Sequence, residues 1–137
     1  MGRLPSSHGL ALLSGLLLAL SFPKFGHAAV AWLALLPLLV ALALDARDQP
    51  SAGWVWRTFV LGSLTGIVSF AGTLYWITGV MVMYGGLATP VAALVNLALI
   101  LYLSLYPAAF AVIMRRLLMA FGSPALLAAP LVWVATE

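Results

Sequence analysis

The chain has 137 residues, of which 65% are hydrophobic and only 7% charged, with a mean hydropathy of +1.18. A soluble domain carries about a quarter charged residues, so this chain cannot cover a water-facing surface, and a soluble helical bundle is excluded. The net charge of +3 comes from six Lys/Arg against three Asp/Glu placed singly or as one pair at the ends of apolar runs, which argues against a nucleic-acid surface.

A membrane helix needs about 20 apolar residues, so the charges bracket the spans. The first run is His8 to Phe22, short for a span and ended by "FPKFGH"; it either crosses or forms a re-entrant hairpin with the second. Pro23 removes a backbone donor and restricts Phe22. A secretory signal is the competing reading, with Arg3 as n-region, Leu10–Leu20 as h-region and "AVA" at 29–31 as cleavage site. Against it, that tripeptide lies inside the second apolar run, and Lys24 between two Phe is a poor approach to cleavage.

The second run spans residues 28–44 with Pro37 inside it, a kink that membranes tolerate. "DARDQPSAG" follows as a polar loop, and its Asp45 and Asp48 read as solvated loop charges rather than an acid–base pair. The third run, 54–78, places Gly62 and Gly66 on one helix face, with Ser69 and Thr73 continuing the stripe. Small residues at that spacing let helix backbones approach closely, here within the chain. "TLYWITGVMVMYGG", 73–86, then breaks an uncharged stretch running from Thr58 to Met114, and its glycines predict a turn after about Thr78.

The fourth run spans 90–114, with Pro90 in its first turn. Asn96 needs a partner inside the protein and suits helix packing. Tyr102 and Tyr106 share a face, and Pro107 leaves the Leu103 carbonyl without its donor, predicting a kink. The last run, 125–137, covers only about 20 Å of a roughly 30 Å hydrocarbon core. A helix that stops there on Glu137 predicts that the chain is a piece of a longer one.

The expectation is therefore an all-α integral membrane domain over residues 1–137. It has four transmembrane helices (near 8–22, 28–44, 54–78 and 90–114), a truncated fifth (125–137) and a cytoplasmic N-terminus. If the first four runs cross, Arg3, Arg47, Arg57, Arg115 and Arg116 share one side and Lys24 lies on the other. The positive-inside rule puts the five in the cytoplasm and the turns near 23–27 and 79–89 outside. Tyr75, Trp76 and Tyr84 then lie at the outer interface, where amphipathic rings are favoured.

No catalytic constellation is visible. The chain has no cysteine, which excludes a thiol nucleophile or thiolate metal site within it, and His8 and His27 fall on opposite sides without metal-ligand spacing. "YGG" lacks the lysine and Ser/Thr of a phosphate loop. An ordinary aromatic belt around an interfacial turn accounts for residues 75–86 from spacing alone.

Several segments nevertheless fall in one order: "LSFPKFG" at 20–26, "AWLALLPLL" at 31–39, "GTLYWI" at 72–77, "YGGL" at 84–87, "LYLSLYPAAFAVIMRRL" at 101–117 and "APLVWVATE" at 129–137. Together they resemble the N-terminal membrane region of bacterial apolipoprotein N-acyltransferases over nearly the whole chain. The resemblance implies a bacterial inner-membrane enzyme with two substrates, a phospholipid acyl donor and a diacylated apolipoprotein acceptor. No cofactor is expected. The acyl chain passes through a thioester on a cysteine, held with glutamate and lysine partners in a nitrilase-like domain that these residues do not contain, so no catalytic residue can be carried over. The resemblance also makes Tyr75, Trp76, Tyr84, Gly85 and Gly86 the candidate rim of a lipid access route. Two other classes stay open: a piece of a polytopic transporter, to which Asn96 and Pro107 would point, and a small structural membrane protein packing through Gly62 and Gly66.

Overall fold

A computed structural model describes residues 6–21, 33–47 and 52–136. Among these the chain is helical, without strands. The elements are α1 (Ser7–Leu20), α2 (Leu36–Arg47), α3 (Trp54–Met83), α4 (Thr89–Leu103), α5 (Leu105–Phe121), a 3-10 turn (Ser123–Ala128) and α6 (Ala129–Thr136). The turn at 23–27, with Lys24 and His27, and also Asp48 lie outside the described residues.

Small residues decide which helices touch. Ser6 caps α1, its Oγ accepting from the Gly9 amide at 3.3 Å. The helix then lays Ala11, Ser14 and Gly15 against α3 and α2. Thr65 Oγ1 donates to the Ala11 carbonyl at 3.0 Å, and a Cβ on Gly15 would lie 2.6 Å from the Thr65 carbonyl oxygen. Farther along, a Cβ on Gly72 would lie 2.8 Å from Ala19 Cβ. The pairs Ala11–Thr65, Gly15–Val68 and Ala19–Gly72 advance together, so α1 and α3 run parallel. The chain between them must therefore return, and α2 does so: Ser14 Oγ donates to the Ala34 carbonyl at 2.5 Å, while Asp45 at the other end of α2 meets Arg57 near the start of α3.

On the other face of α3, the glycine pair receives α5. A Cβ on Gly62 would lie 2.5 Å from the Pro107 carbonyl oxygen and 2.6 Å from Ala108 Cα. One on Gly66 would lie 2.8 Å from Ser104 Cα. Thr58 meets Arg115, Gly62 meets Ala108 and Ala111, and Gly66 meets Ser104, so α5 runs antiparallel to α3. Below these contacts a core of Leu38, Leu42, Leu61, Phe110, Met114 and Leu118 is buried, and Trp133 of α6 stands edge-on to Phe110 with ring centroids 5.1 Å apart.

Several boundaries differ from the sequence expectation; the fourth run, for one, continues past Met114 to Phe121, and the segment expected as a helix from 125 opens as a 3-10 turn to Ala128. The second helix continues past Leu44 to Arg47, which draws Asp45 out of the expected loop. Pro37 falls in the first turn of α2, after a break at Leu35, where its missing N–H costs little. The third helix continues past Thr78 to Met83. Pro107 does interrupt the fourth run: α4 stops at Leu103, Ser104 forms a turn and α5 begins at Leu105.

Among the described residues two helices are long and apolar enough to cross a membrane, Trp54–Met83 with 30 residues and the broken Thr89–Phe121 with 33. Only 11% of the most apolar window of the first is buried inside the protein, unlike the core helix of a soluble domain. At 1.5 Å per residue it is about 45 Å long, the thickness of a bilayer with its headgroup layers.

Candidate functional site

The turn between α3 and α4 is built by its two glycines. Tyr84 ends α3, and the amides of Gly85 and Leu87 both bond the Met81 carbonyl, at 3.1 and 3.3 Å. That doubly used carbonyl needs a tight reversal. A Cβ on Gly85 would lie 2.6 Å from the Met81 oxygen, and Gly86 adopts φ +63°, a left-handed conformation that side chains disfavour. Ala88 then enters α4 in an extended conformation, with Pro90 in the first turn.

The aromatic residues do not stand level. Tyr84 is at the turn and 84% exposed, but Tyr75 and Trp76 lie within α3, about 12–14 Å below it along the helix axis. They were expected to ring the turn because α3 was expected to end near Thr78; the helix instead carries on and separates them. All three point outward, as do Met83 and Leu94.

Between these levels Asn96 joins the two helices. It is 6% exposed, and its Nδ2 donates to the Leu74 carbonyl at 3.1 Å and to Thr78 Oγ1 at 3.0 Å. Its Oδ1 is buried without a hydrogen-bond partner. Sequence reading located the polar residue but could not name its partners. Tyr102 and Tyr106 do face each other, edge-on, with their hydroxyls 3.4 Å apart.

The opposite end of α3 holds a cluster that sequence reading missed. Asp45, taken as a solvated loop charge, is 4% exposed and forms an ion pair with Arg115, itself 2% exposed. Arg115 Nη1 also donates to Thr58 Oγ1 at 2.8 Å, and Nη2 to the Asp45 carbonyl at 2.8 Å. The guanidinium thus takes up one of the last carbonyls of α2 and sits where the helix dipole favours a cation. Thr58 is oriented by its own bond to the Trp54 carbonyl at 2.8 Å. Arg57, more than half exposed, reaches the second oxygen of Asp45 at 3.3 Å. The Trp54 ring lies 5.3 Å from the Arg115 guanidinium carbon and 5.8 Å from that of Arg116. The only signal for this in the sequence was the sign of the charges, because Asp45 and Arg115 are 70 positions apart.

The arrangement contains no nucleophile with an adjacent base. Among the described residues no three His, Cys, Asp or Glu side chains gather to hold a metal.

Comparison with known proteins supplies what the geometry does not. The chain is 44% identical over 128 residues to the apolipoprotein N-acyltransferase of Geobacter metallireducens, covering 93% of this chain and 23% of the relative. It is 29% identical over 128 residues to that of Pasteurella multocida, covering 93% of this chain and 22% of the relative. It is 41% identical over 69 residues to that of Bordetella bronchiseptica, covering 50% of this chain and 13% of the relative. The chain therefore spans less than a quarter of the length of these relatives. No solved structure matches it. Residues 14–137, which hold α3 with the helices packed along it, match the family described as the apolipoprotein N-acyltransferase N-terminal domain, and the chain belongs to that family.

Proposed function

We propose that this chain is the membrane-embedded part of an enzyme that transfers an acyl chain from a phospholipid to the N-terminal amine of a diacylglyceryl-cysteine lipoprotein. The observation that carries this reading is the family match over residues 14–137, joined to relatives that bear the acyltransferase name over about four times this length. The first half-reaction forms a thioester when an enzyme thiolate attacks the phospholipid ester and lysophospholipid leaves. In the second, the lipoprotein amine attacks the thioester, forms the amide and frees the thiol. The 137 residues hold no cysteine, so the nucleophile belongs to the rest of the enzyme and the isolated chain transfers nothing.

The membrane is the bacterial inner membrane. The arginine end of the bundle is cytoplasmic by charge, and the segments near 23–27 and 79–89 are periplasmic. The up–down alternation of α1, α2, α3 and α4–α5 supports four crossings, with the 123–136 segment beginning a fifth. Tyr75, Trp76, Tyr84, Gly85 and Gly86 then border the route by which acyl chains reach the periplasmic side. Their exposure and the absence of charge around them support that role.

The test uses the full enzyme with Trp76→Ala and Tyr84→Ala together, a fluorescent phospholipid donor and a diacylated lipopeptide acceptor. A several-fold rise in KM for the donor at normal protein level is expected. Unchanged kinetics would remove the rim assignment, and no transfer by the unaltered enzyme would remove the acyltransferase reading itself.

A further inference from the structure

Among the described residues, the charged end of α3 gathers three guanidinium groups, Arg57, Arg115 and Arg116, around one carboxylate. Asp45 is the one carboxylate among the described residues, and both its oxygens are taken, Oδ2 by Arg115 and Oδ1 by Arg57. Arg116 is exposed, touches the Trp54 ring, and pairs with no described carboxylate. Beside these groups, Trp54, Val55, Trp56 and Phe59 line an open groove of about 450 Å³. Trp56 is stacked on Phe59, with centroids 5.7 Å apart, and is 68% exposed. An apolar aromatic groove beside the exposed guanidiniums of Arg116 and Arg57 has the chemistry of a phospholipid: a phosphodiester for the cations and an acyl chain for the rings.

We propose that this end of the bundle binds one anionic phospholipid, with its phosphate on Arg116 and Arg57 and its acyl chain along Trp54, Trp56 and Phe59. The site is separate from the aromatic turn, because α3 puts about 45 Å between Trp54 and Tyr84. It is therefore no part of the acyl-donor route. A lipid phosphate adds counter-charge to the three described guanidiniums and braces the junction of α2, α3 and α5.

The purified protein in neutral detergent is titrated with dioleoyl phosphatidylglycerol and, separately, with dioleoyl phosphatidylcholine, and retained lipid is counted by native mass spectrometry. One phosphatidylglycerol should be retained in preference to phosphatidylcholine. Arg116→Gln and Arg57→Gln should each weaken it roughly five-fold, the equivalent of about 1 kcal/mol per surface guanidinium. Trp56→Ala should weaken it as well. Arg47→Gln is the control: it removes a charge from the same end, but Arg47 lines a different cavity with Ala43, Leu118 and Gly122. An equal loss in Arg47→Gln would mean a general surface field and would overturn the site. So would unchanged binding in Arg116→Gln, or displacement of the lipid by inorganic phosphate at millimolar concentration, which would make the ligand a free anion. Circular dichroism of each variant establishes that it is folded, and the readout does not depend on acyl transfer.

Discussion

Replacing Arg115 by Met should destabilise the protein more than any other single change at the charged end. Arg115 is 2% exposed and makes three polar contacts, to the Asp45 carboxylate, the Asp45 carbonyl and the Thr58 hydroxyl. Removing one partner of a buried pair costs roughly 3–5 kcal/mol, because the other charge stays buried and uncompensated. Here Asp45 keeps Arg57 at 3.3 Å, but that side chain is 58% exposed and screened, so the lower half of the range, about 3 kcal/mol, is expected. The double variant Asp45→Leu, Arg115→Met removes both charges and fills the space with apolar atoms. Such replacements are often neutral, so it should regain most of the loss. Reversible unfolding in mixed micelles, followed by tryptophan fluorescence, measures Arg115→Met, Asp45→Leu and the double variant. If Arg115→Met costs less than about 1 kcal/mol, or if the double variant costs the sum of the singles, the pair is not a buried clasp and the reasoning fails.

Three further changes probe the helix contacts. Gly62→Ala places a methyl 2.5 Å from the Pro107 carbonyl oxygen, where backbone must move, and should cost about 1–3 kcal/mol in the same unfolding assay. The equivalent change at Gly79, where a Cβ would meet nothing within 4 Å, should be near neutral or slightly stabilising and serves as its control. Asn96→Ala removes two interhelical donations and should cost about 0.6–1.7 kcal/mol, the range found for such bonds between membrane helices. Gly86→Ala forces a side chain into φ +63° and should cost about 1 kcal/mol; a loss no larger than that of Ala88→Gly would argue against the turn geometry.

Charge bracketing and helix-length arithmetic made the helical architecture legible, and the spacing of Gly62 and Gly66 marked the face of α3 on which α5 lies. The turn at Gly85 and Gly86 was legible because glycine pairs have few other uses between helices. What could not be read was anything decided across the fold. Asp45 sits in a segment of loop composition, and only Arg115 and the Thr58 hydroxyl, brought in by α5 and α3, make it a buried helical residue. The end of α3 was misplaced for a related reason. Nothing between Thr78 and Met83 distinguishes helix from turn locally, and Asn96, from the next helix, holds Leu74 and Thr78 in register.

Helix α3 is therefore held very differently at its two ends. Near Trp54 it is fastened by a buried ion pair, a cation–ring contact and the packing of α2 and α5. Beyond Gly72, the Asn96 side chain joins it to α4 through two donations and leaves one oxygen without a partner. Local opening follows such differences in buried contacts and satisfied hydrogen bonds. The buried ion pair near Trp54, about 45 Å from the turn, is therefore expected to be among the last contacts of α3 to open.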